Sequence, residues 1–160
     1  MVQESVVEGT IISLLESVGY KYLGNNDSWV QNRQLDEFIN HDLLLECLQR
    51  INPGVDDDIL EEAIKTVLRI DNPSLYERNY KFTDYLINGI TIESKKLAVN
   101  PLIKLIDFDH PENNYFQVSH QIKFRENHDT RIPDVVLFIN GIPMIVMELK
   151  TFDEEGTMAT

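Results

Sequence analysis

The chain has 160 residues, of which 42% are hydrophobic and 26% are charged, as in a globular domain large enough to bury a core. Its net charge of −13 argues against a free-standing DNA-binding protein, which should present a basic surface. The sequence shows neither an apolar run long enough to cross a membrane nor an export leader, and its one cysteine, Cys47, rules out an internal disulfide, so a cytoplasmic protein without a membrane partner is expected.

Four helices are predicted in the first half of the chain, where apolar residues recur at helical spacing. They cover residues 3–18, 35–50, 59–70 and 74–87. Glu8 lies at the edge of the apolar face of the first of them. Its carboxylate either completes a metal site or belongs to an ordinary exposed helix glutamate, and the second interpretation is favoured.

The second half of the chain changes to the patterns of β-strands. Strands are predicted at residues 89–93, 101–108 and 116–124, and two more within 131–150. Apolar and polar residues alternate along 116–124, which is typical of a strand with one buried face, and His120 falls on the apolar side as a core histidine. Helices followed by mostly antiparallel strands predict an α+β fold.

The stretch 131–150 consists of two apolar runs that meet at Asn140-Gly141, a strong signal for a β-hairpin. Both runs are apolar on both faces, so the two strands are expected to lie in the centre of a sheet that is covered on both sides. The few charged residues of this stretch lie near its ends, and an antiparallel hairpin would bring those ends together.

Register decides whether Asp134 and Glu148 share a face. A regular two-residue loop would separate them, because a slip of one residue exchanges the faces of a strand. A three-residue loop or a single bulge instead pairs Ile139 with Pro143 and Asp134 with Glu148. This register is predicted, because Pro143 has no N–H to donate and suits a loosened end of the ladder.

Asp134, Glu148 and Lys150 would then lie on one face at the open end of the hairpin. Two carboxylates suit Mg²⁺, which binds few protein oxygens and keeps waters or substrate phosphates. A lysine two residues after the glutamate returns to the same face, where it can stabilise charge on a phosphate. The pattern predicts metal-assisted phosphodiester hydrolysis, with a buried salt bridge between Lys150 and one carboxylate as the alternative.

Several segments carry a resemblance to one family. They are residues 4–20, Ile51-Asn52-Pro53, residues 86–89, Leu105-Ile106-Asp107-Phe108, residues 114–118 with Gln121, and above all 131–143 with Glu148-Leu149-Lys150. Over nearly its whole length the chain resembles the N-terminal endonuclease domain of the restriction (R) subunit of type I restriction–modification enzymes, part of the PD-(D/E)xK nuclease superfamily. The resemblance implies a nuclease-like core with a mixed, mostly antiparallel sheet flanked by helices.

The resemblance also implies a function. Asp134 and Glu148 would be ligands of Mg²⁺, or of Mn²⁺ as its substitute, and Lys150 would be the catalytic lysine of double-stranded DNA cleavage. Glu8 falls where many superfamily members keep a helix carboxylate. The expected partners are double-stranded DNA and the methylation and specificity subunits, with ATP used by a motor and S-adenosylmethionine by partner subunits.

One part of the family pattern is missing from the chain, a helix with a Gln-x-x-x-Tyr motif that usually follows the catalytic lysine. Residues 1–160 are therefore expected to form a single endonuclease domain at the N-terminal end of a much longer ATP-dependent motor subunit. In the family, other domains and subunits hold the DNA, which accounts for the acidic charge of this chain.

Two hypotheses follow, a metal-dependent endonuclease and a non-catalytic docking module of a multisubunit DNA-processing complex. In the second, the same charged residues form only a structural bridge. The two differ in metal binding, whereas inactivity of the isolated chain is expected under either and would not separate them.

Overall fold

The computed structural model of the chain describes residues 4–71, 73–93 and 99–150. They divide into two compact units. The first unit combines the described parts of Met1–Asn40 and Phe116–Thr160, and the second is His41–Tyr115. The charged residues of the predicted hairpin all belong to the first unit.

The described residues contain five α-helices and eight strands. The helices are α1 (Glu4–Ser17), α2 (Ser28–Asn32), α3 (His41–Ile51), α4 (Asp57–Leu68) and α5 (Leu75–Asn88). The strands are β1 (Lys21–Tyr22), β2 (Ile90–Thr91), β3 (Leu102–Ile103), β4 (Phe116–His120), β5 (Phe124–Glu126), β6 (Asp129–Arg131), β7 (Val135–Ile139) and β8 (Ile142–Met147). None of the described helices has the length and apolar character needed to cross a membrane.

The main sheet of the first unit has the strand order β1-β4-β7-β8. Strand β1 runs parallel to β4, and the other neighbours are antiparallel. Two further antiparallel pairs, β2 with β3 and β5 with β6, form separate two-stranded sheets. The prediction of an α+β fold with a mixed, mostly antiparallel sheet and helices in the N-terminal half is therefore confirmed.

Strand β7 forms the centre of the first unit, because both of its faces are buried. On one face, Val136 and Phe138 pack with Leu23, Ile122 and Phe124, to which Trp29 and Val30 of α2 add. On the other face, Val135 and Leu137 pack with Val118 and with Ile12 and Leu15 of α1. Complete burial of a side chain such as Phe138 stabilises the fold by roughly 1.5–3 kcal/mol.

The second unit is built on the pair α3 and α4, whose apolar faces supply most of its fully buried side chains. These include Leu44, Cys47, Leu48, Leu60 and Ile64. Burial raises the pKa of the Cys47 thiol. Cys47 is thus a core residue, as its place in the helical pattern predicts.

The second predicted helix begins at His41, well after its predicted start. Two carbonyl groups before His41 accept hydrogen bonds from groups other than a helical N–H. The Arg33 guanidinium donates to the Glu37 carbonyl at 3.1 Å, and the Leu35 carbonyl accepts from the N–H of Arg125 at 2.8 Å. Apolar residues continue at helical spacing through residues 35–40, but carbonyl groups in this segment are not available to accept helical hydrogen bonds.

The strand predicted at 116–124 breaks at Gln121, which follows the last residue of β4 and has a φ of +49°. In a regular strand Val118 and Ile122 would share a face. In the structure they pack on opposite faces of the main sheet. A left-handed conformation costs a residue other than glycine about 1–3 kcal/mol, and here it carries the chain from one face to the other.

The sequence pattern also misses several short elements. Strand β1 and helix α2 lie between the first two predicted helices, and most of β6 lies between the strand predicted at 116–124 and the hairpin. Only β3 forms within the strand predicted at 101–108. Each of these elements depends on a pairing partner that is distant in sequence or on very few residues.

In the second unit, residues of the family pattern fasten loops to one another. Asn52 donates its side-chain amide to the Lys104 carbonyl at 2.9 Å and accepts the Lys104 N–H at 2.8 Å. Asn114 makes the same two-way contact with the backbone of Asp107, at 2.7 and 3.0 Å. Gly89 has a φ of +78°, and a side chain there would come within 2.7 Å of a backbone oxygen of β3. These residues have a structural role, because they hold the loops of the second unit in place.

The Asp107 carboxylate generates a prediction about pH. It accepts a hydrogen bond from the Asn113 side chain at 2.9 Å and another from the N–H of His110 at 3.1 Å, and these hold its pKa below its ordinary value. A carboxylate with a lowered folded-state pKa stabilises the fold above its unfolded pKa, and this contribution is lost as the pH falls through the folded pKa. We expect Asp107→Asn to be less stable than the wild type at pH 7, and the difference to shrink below about pH 4.

Urea unfolding of both proteins at pH 7 and pH 3 measures this difference. Glu112→Gln, which changes an exposed carboxylate nearby, is the control and should have little effect at either pH. An equal difference between wild type and Asp107→Asn at the two pH values would contradict the assignment.

Candidate metal site

The β7–β8 hairpin turns at Asn140 and Gly141, whose φ angles are +54° and +80°. A two-residue hairpin turn of this kind requires a left-handed conformation at both positions, which Asn and Gly tolerate best. Ile139 pairs with Ile142 across the turn. The predicted pairing of Ile139 with Pro143 is therefore wrong, because the loop has two residues and not three.

Strand β8 contains one extra residue, Met144, between its pairings with Phe138 and Leu137. This bulge shifts the rest of β8 by one residue and so exchanges the faces that a regular two-residue hairpin would give. Immediately beyond the last pair of the ladder, Asp134 precedes β7 and Glu148 follows β8. The bulge gives the predicted register of the ladder, which ends with Val135 and Met147, one position before Asp134 and Glu148.

The Asp134 side chain bridges the open end of the hairpin. Its Oδ2 accepts a hydrogen bond from the backbone N–H of Leu149 at 2.5 Å, and the side chain is half-buried. Leu149 is the residue between Glu148 and Lys150. The hydrogen bond therefore sets the Asp134 carboxylate against the backbone segment that carries the other two predicted site residues.

Packing indicates on which side of the sheet these residues lie. Met147 and Leu149 both pack with Val135 in the cluster that faces α1. Because side chains alternate along an extended chain, Glu148 and Lys150 project from the face opposite to Met147 and Leu149. Asp134 lies in a bend before β7, and its carboxylate is placed by the hydrogen bond from the Leu149 N–H. Glu148 and Lys150 are exposed.

Glu8 lies on the α1 side of the sheet, one turn before Ile12, which packs on that face. Only 7% of its surface is exposed, so the expectation of an ordinary exposed helix glutamate is wrong. Its two carboxylate oxygens accept hydrogen bonds from the Gln121 side-chain amide at 3.3 and 3.4 Å. Glu8 is thus a buried carboxylate held at the end of β4, beside the start of β7.

These acidic residues do not form a closed cage. Within residues 4–71, 73–93 and 99–150, no three His, Cys, Asp or Glu side chains lie close enough together to hold a metal ion. The same part of the chain shows no ion pair that joins Lys150 to Asp134 or Glu148. Asp134 and the exposed Glu148 lie at the open end of the hairpin, and Gln121 holds Glu8 near the start of β7.

Strand β8 lies at the edge of the main sheet, not in its centre as predicted. Its side chains Ile145 and Val146 are 49% and 60% exposed. The sequence predicts that both strands of the hairpin are buried, because both faces of each are apolar. This prediction is confirmed for β7 and is wrong for β8. Among the described strands, β8 pairs only with β7.

His120 is half-buried and has a structural partner. Its Nδ1 lies 2.7 Å from the Tyr22 hydroxyl, and the two rings are stacked with centroids 5.7 Å apart. Burial, together with the nearby charge of Glu16, raises the pKa of Tyr22. This pair fixes β1 to β4 and supports the prediction of a satisfied histidine.

Gln121 is the residue of this region that the sequence does not single out. The alternating pattern marks it only as a polar position of a strand. Glutamine has no special preference for a positive φ, and its contact with Glu8 spans more than a hundred residues. Only the resemblance, which includes Gln121, draws attention to it.

Comparisons with known proteins give the family of this chain. Residues 1–158 match the model of the type I restriction enzyme R protein N terminus. The chain is 32% identical over 157 residues to a putative type I restriction enzyme MjaIXP endonuclease subunit of Methanocaldococcus jannaschii, which covers 93% of the chain. It is 28% identical over 158 residues, 94% of the chain, to the type I restriction enzyme HindI endonuclease subunit of Haemophilus influenzae.

A second protein of Methanocaldococcus jannaschii, the putative type I restriction enzyme MjaVIIIP endonuclease subunit, is 33% identical over 163 residues, which covers 98% of the chain. In each of these three relatives the match spans 15% of the relative's own length. The family model, by contrast, accounts for nearly all of this chain. The chain belongs to the family of type I restriction enzyme R protein N termini.

Proposed function

We propose that this chain is the metal-dependent endonuclease domain of a type I restriction enzyme and that it cleaves phosphodiester bonds of double-stranded DNA. The observation that carries the proposal is the hydrogen bond between the Leu149 N–H and Asp134, which sets one carboxylate against the Glu148–Lys150 segment. The names of the relatives, all endonuclease subunits, support it. The arrangement of Pro133-Asp134 with Glu148-x-Lys150 is the basis for proposing a PD-(D/E)xK core.

The donor set fits a divalent cation with hard oxygen ligands. Asp134 and Glu148 supply two carboxylates at one end of the hairpin, and Mg²⁺ typically takes one or two carboxylates and fills its other positions with water and phosphate oxygens. The exposure of Glu148 leaves room for those additional ligands. A bound Mg²⁺, or Mn²⁺ in its place, would polarise the scissile phosphate and lower the pKa of a water molecule.

Each residue of the chain has a distinct task in this proposal. Asp134 is fixed by its hydrogen bond to the Leu149 N–H, so its carboxylate is oriented before a cation binds. Glu148 lies opposite and completes the pair of ligands. Lys150 extends from the same side of the sheet as a flexible point charge, suited to stabilise negative charge that develops on the phosphate.

The acidity of the chain bears on how DNA is held. A net charge of −13 repels the phosphate backbone, and one divalent ion offsets little of it. We therefore assign DNA binding to other parts of the enzyme: a motor that uses ATP to translocate DNA, and the specificity and methylation subunits, of which the latter use S-adenosylmethionine. Three further points stay predictions: residues 1–160 form a single endonuclease domain, this domain belongs to a longer subunit, and that subunit is cytoplasmic.

The alternative, a docking module in which Lys150 forms a buried structural bridge, has less support. Glu148 and Lys150 are exposed, and the described residues show no ion pair between Lys150 and either carboxylate. A surface pair of this kind would contribute only about 0–1 kcal/mol even if it formed. A purely structural role would therefore explain little about why these charges lie at the end of an apolar hairpin.

The first test measures cation binding by the chain. Calorimetric titration with Mn²⁺ should show weak saturable binding by the wild type that Asp134→Ala and Glu148→Ala abolish, because each removes one of two carboxylate ligands. Glu126→Ala, which removes an exposed carboxylate from β5, is the matched control and should bind as the wild type does. Binding that survives in Glu148→Ala would refute the ligand assignment.

The second test separates chemistry from assembly. In the complete enzyme, Lys150→Ala should lower the rate of DNA cleavage by about 10²–10³-fold or more while ATP hydrolysis continues, because only charge stabilisation at the phosphate is lost. Cleavage on supercoiled plasmid and ATP hydrolysis are followed in the same reaction. A mutant enzyme that still cuts at the wild-type rate would remove Lys150 from the mechanism.

A further inference from the structure

Gln121 occupies a junction between three parts of the first unit. It ends β4, it adopts a φ of +49°, and it is where the chain passes from one face of the main sheet to the other. A residue other than glycine remains in this conformation only when its surroundings hold it there, and such positions are concentrated near functional sites. The contacts of Gln121 show what holds it.

The backbone of Gln121 is fastened to the entry of β7. Its N–H lies 3.1 Å from the Pro133 carbonyl oxygen and 3.2 Å from the Asp134 carbonyl oxygen, so one donor is shared between two consecutive acceptors. This contact sets the path of the backbone at the residue that carries the proposed metal ligand. A movement of Gln121 would therefore move Asp134.

The side chain of Gln121 reaches in a different direction, to α1. Its Nε2 is the donor that the structure shows for the Glu8 carboxylate, at 3.3 Å from Oε1 and 3.4 Å from Oε2. A carboxylate that is 7% exposed requires such donors, because burial without them is costly. An amide is a neutral donor, so it satisfies the carboxylate without cancelling its negative charge.

We infer that Gln121 is a positioning residue of the proposed metal site: it holds Asp134 through its backbone and, through its side chain, keeps the negatively charged Glu8 carboxylate close enough to Asp134 to strengthen cation binding. The inference rests on the proposed function. It assigns to Gln121 an indirect role, since the residue binds neither the cation nor the DNA. Partners of this kind, which orient a ligand, typically change metal affinity by 10- to 100-fold when they are replaced.

The substitution Gln121→Gly isolates the side chain. Glycine adopts a positive φ without strain, so the turn and its N–H are kept while the contact with Glu8 is lost. Mn²⁺ titration should then give a dissociation constant 10- to 100-fold above that of the wild type. Asn127→Gly is the matched control: Asn127 has a φ of +54° in the exposed turn between β5 and β6, and its replacement should leave the Mn²⁺ affinity unchanged.

A second variant and a double variant make the test decisive. Gln121→Asn keeps an amide that tolerates positive φ but is too short to keep the Glu8 contact, and should also weaken Mn²⁺ binding if Gln121→Gly does not fold. If Gln121 acts through Glu8, the loss in Glu8→Gln combined with Gln121→Gly should not exceed the larger single loss. A purely structural role would lower the thermal midpoint and leave the Mn²⁺ affinity of the folded protein unchanged.

The outcomes distinguish the two proposals. Wild-type binding that Glu148→Ala abolishes but neither Gln121 variant weakens would overturn the inference and leave the proposed function standing. Additive losses in the double variant would overturn the link through Glu8. A wild-type protein that shows no saturable Mn²⁺ binding would overturn both, because there would be no site for Gln121 to position.

Discussion

The hydrogen bond from the Leu149 N–H to the Asp134 carboxylate is the constraint on which the site depends. At the open end of a hairpin the ladder has no further backbone pairs, so two chain ends would otherwise separate. A carboxylate that accepts a backbone N–H across this gap replaces the missing pair and is itself fixed. Asp134 therefore has two roles: it closes the end of the hairpin, and it is a proposed ligand of the cation.

The elements that sequence predicts well are those whose signals are local. Helices α4 and α5 follow helical spacing and end within two residues of their predicted bounds, and the hairpin turns at Asn140-Gly141 as predicted. The elements that the sequence does not predict depend on contacts with residues that are distant in sequence. Carbonyl groups before His41 are used by side chains and strands elsewhere, β1 exists only because it pairs with β4, and the left-handed conformation of Gln121 has no local signature. The alternating pattern through 116–124 correctly predicts that Val118, Ile122 and Phe124 are buried, but Gln117 and Ser119 are buried as well, so β4 does not have the one exposed polar face that the pattern predicts.

The residues of the candidate site also differ in how far the sequence predicts their positions. Asp134, Glu148 and Lys150 could be proposed from spacing, because the hairpin brings its own ends together. The burial of Glu8 could not, since it results from the packing of α1 on the sheet and from Gln121. Within the family pattern, residues such as Asn52 and Asn114 hold loops together. The family pattern thus contains residues with a structural role as well as candidate metal ligands. Only the contacts of each residue show to which group it belongs.

The bulge at Met144 has a consequence for how this hairpin can vary. Since a two-residue turn alone would place Glu148 and Lys150 on the α1 side, one inserted residue decides which way both side chains point. Insertions or deletions between the turn and Glu148 would be tolerated in even numbers and disruptive in odd ones, even where hydrophobicity is unchanged. Deletion of one residue from β8 would thus turn the acidic and basic groups that follow this strand towards α1.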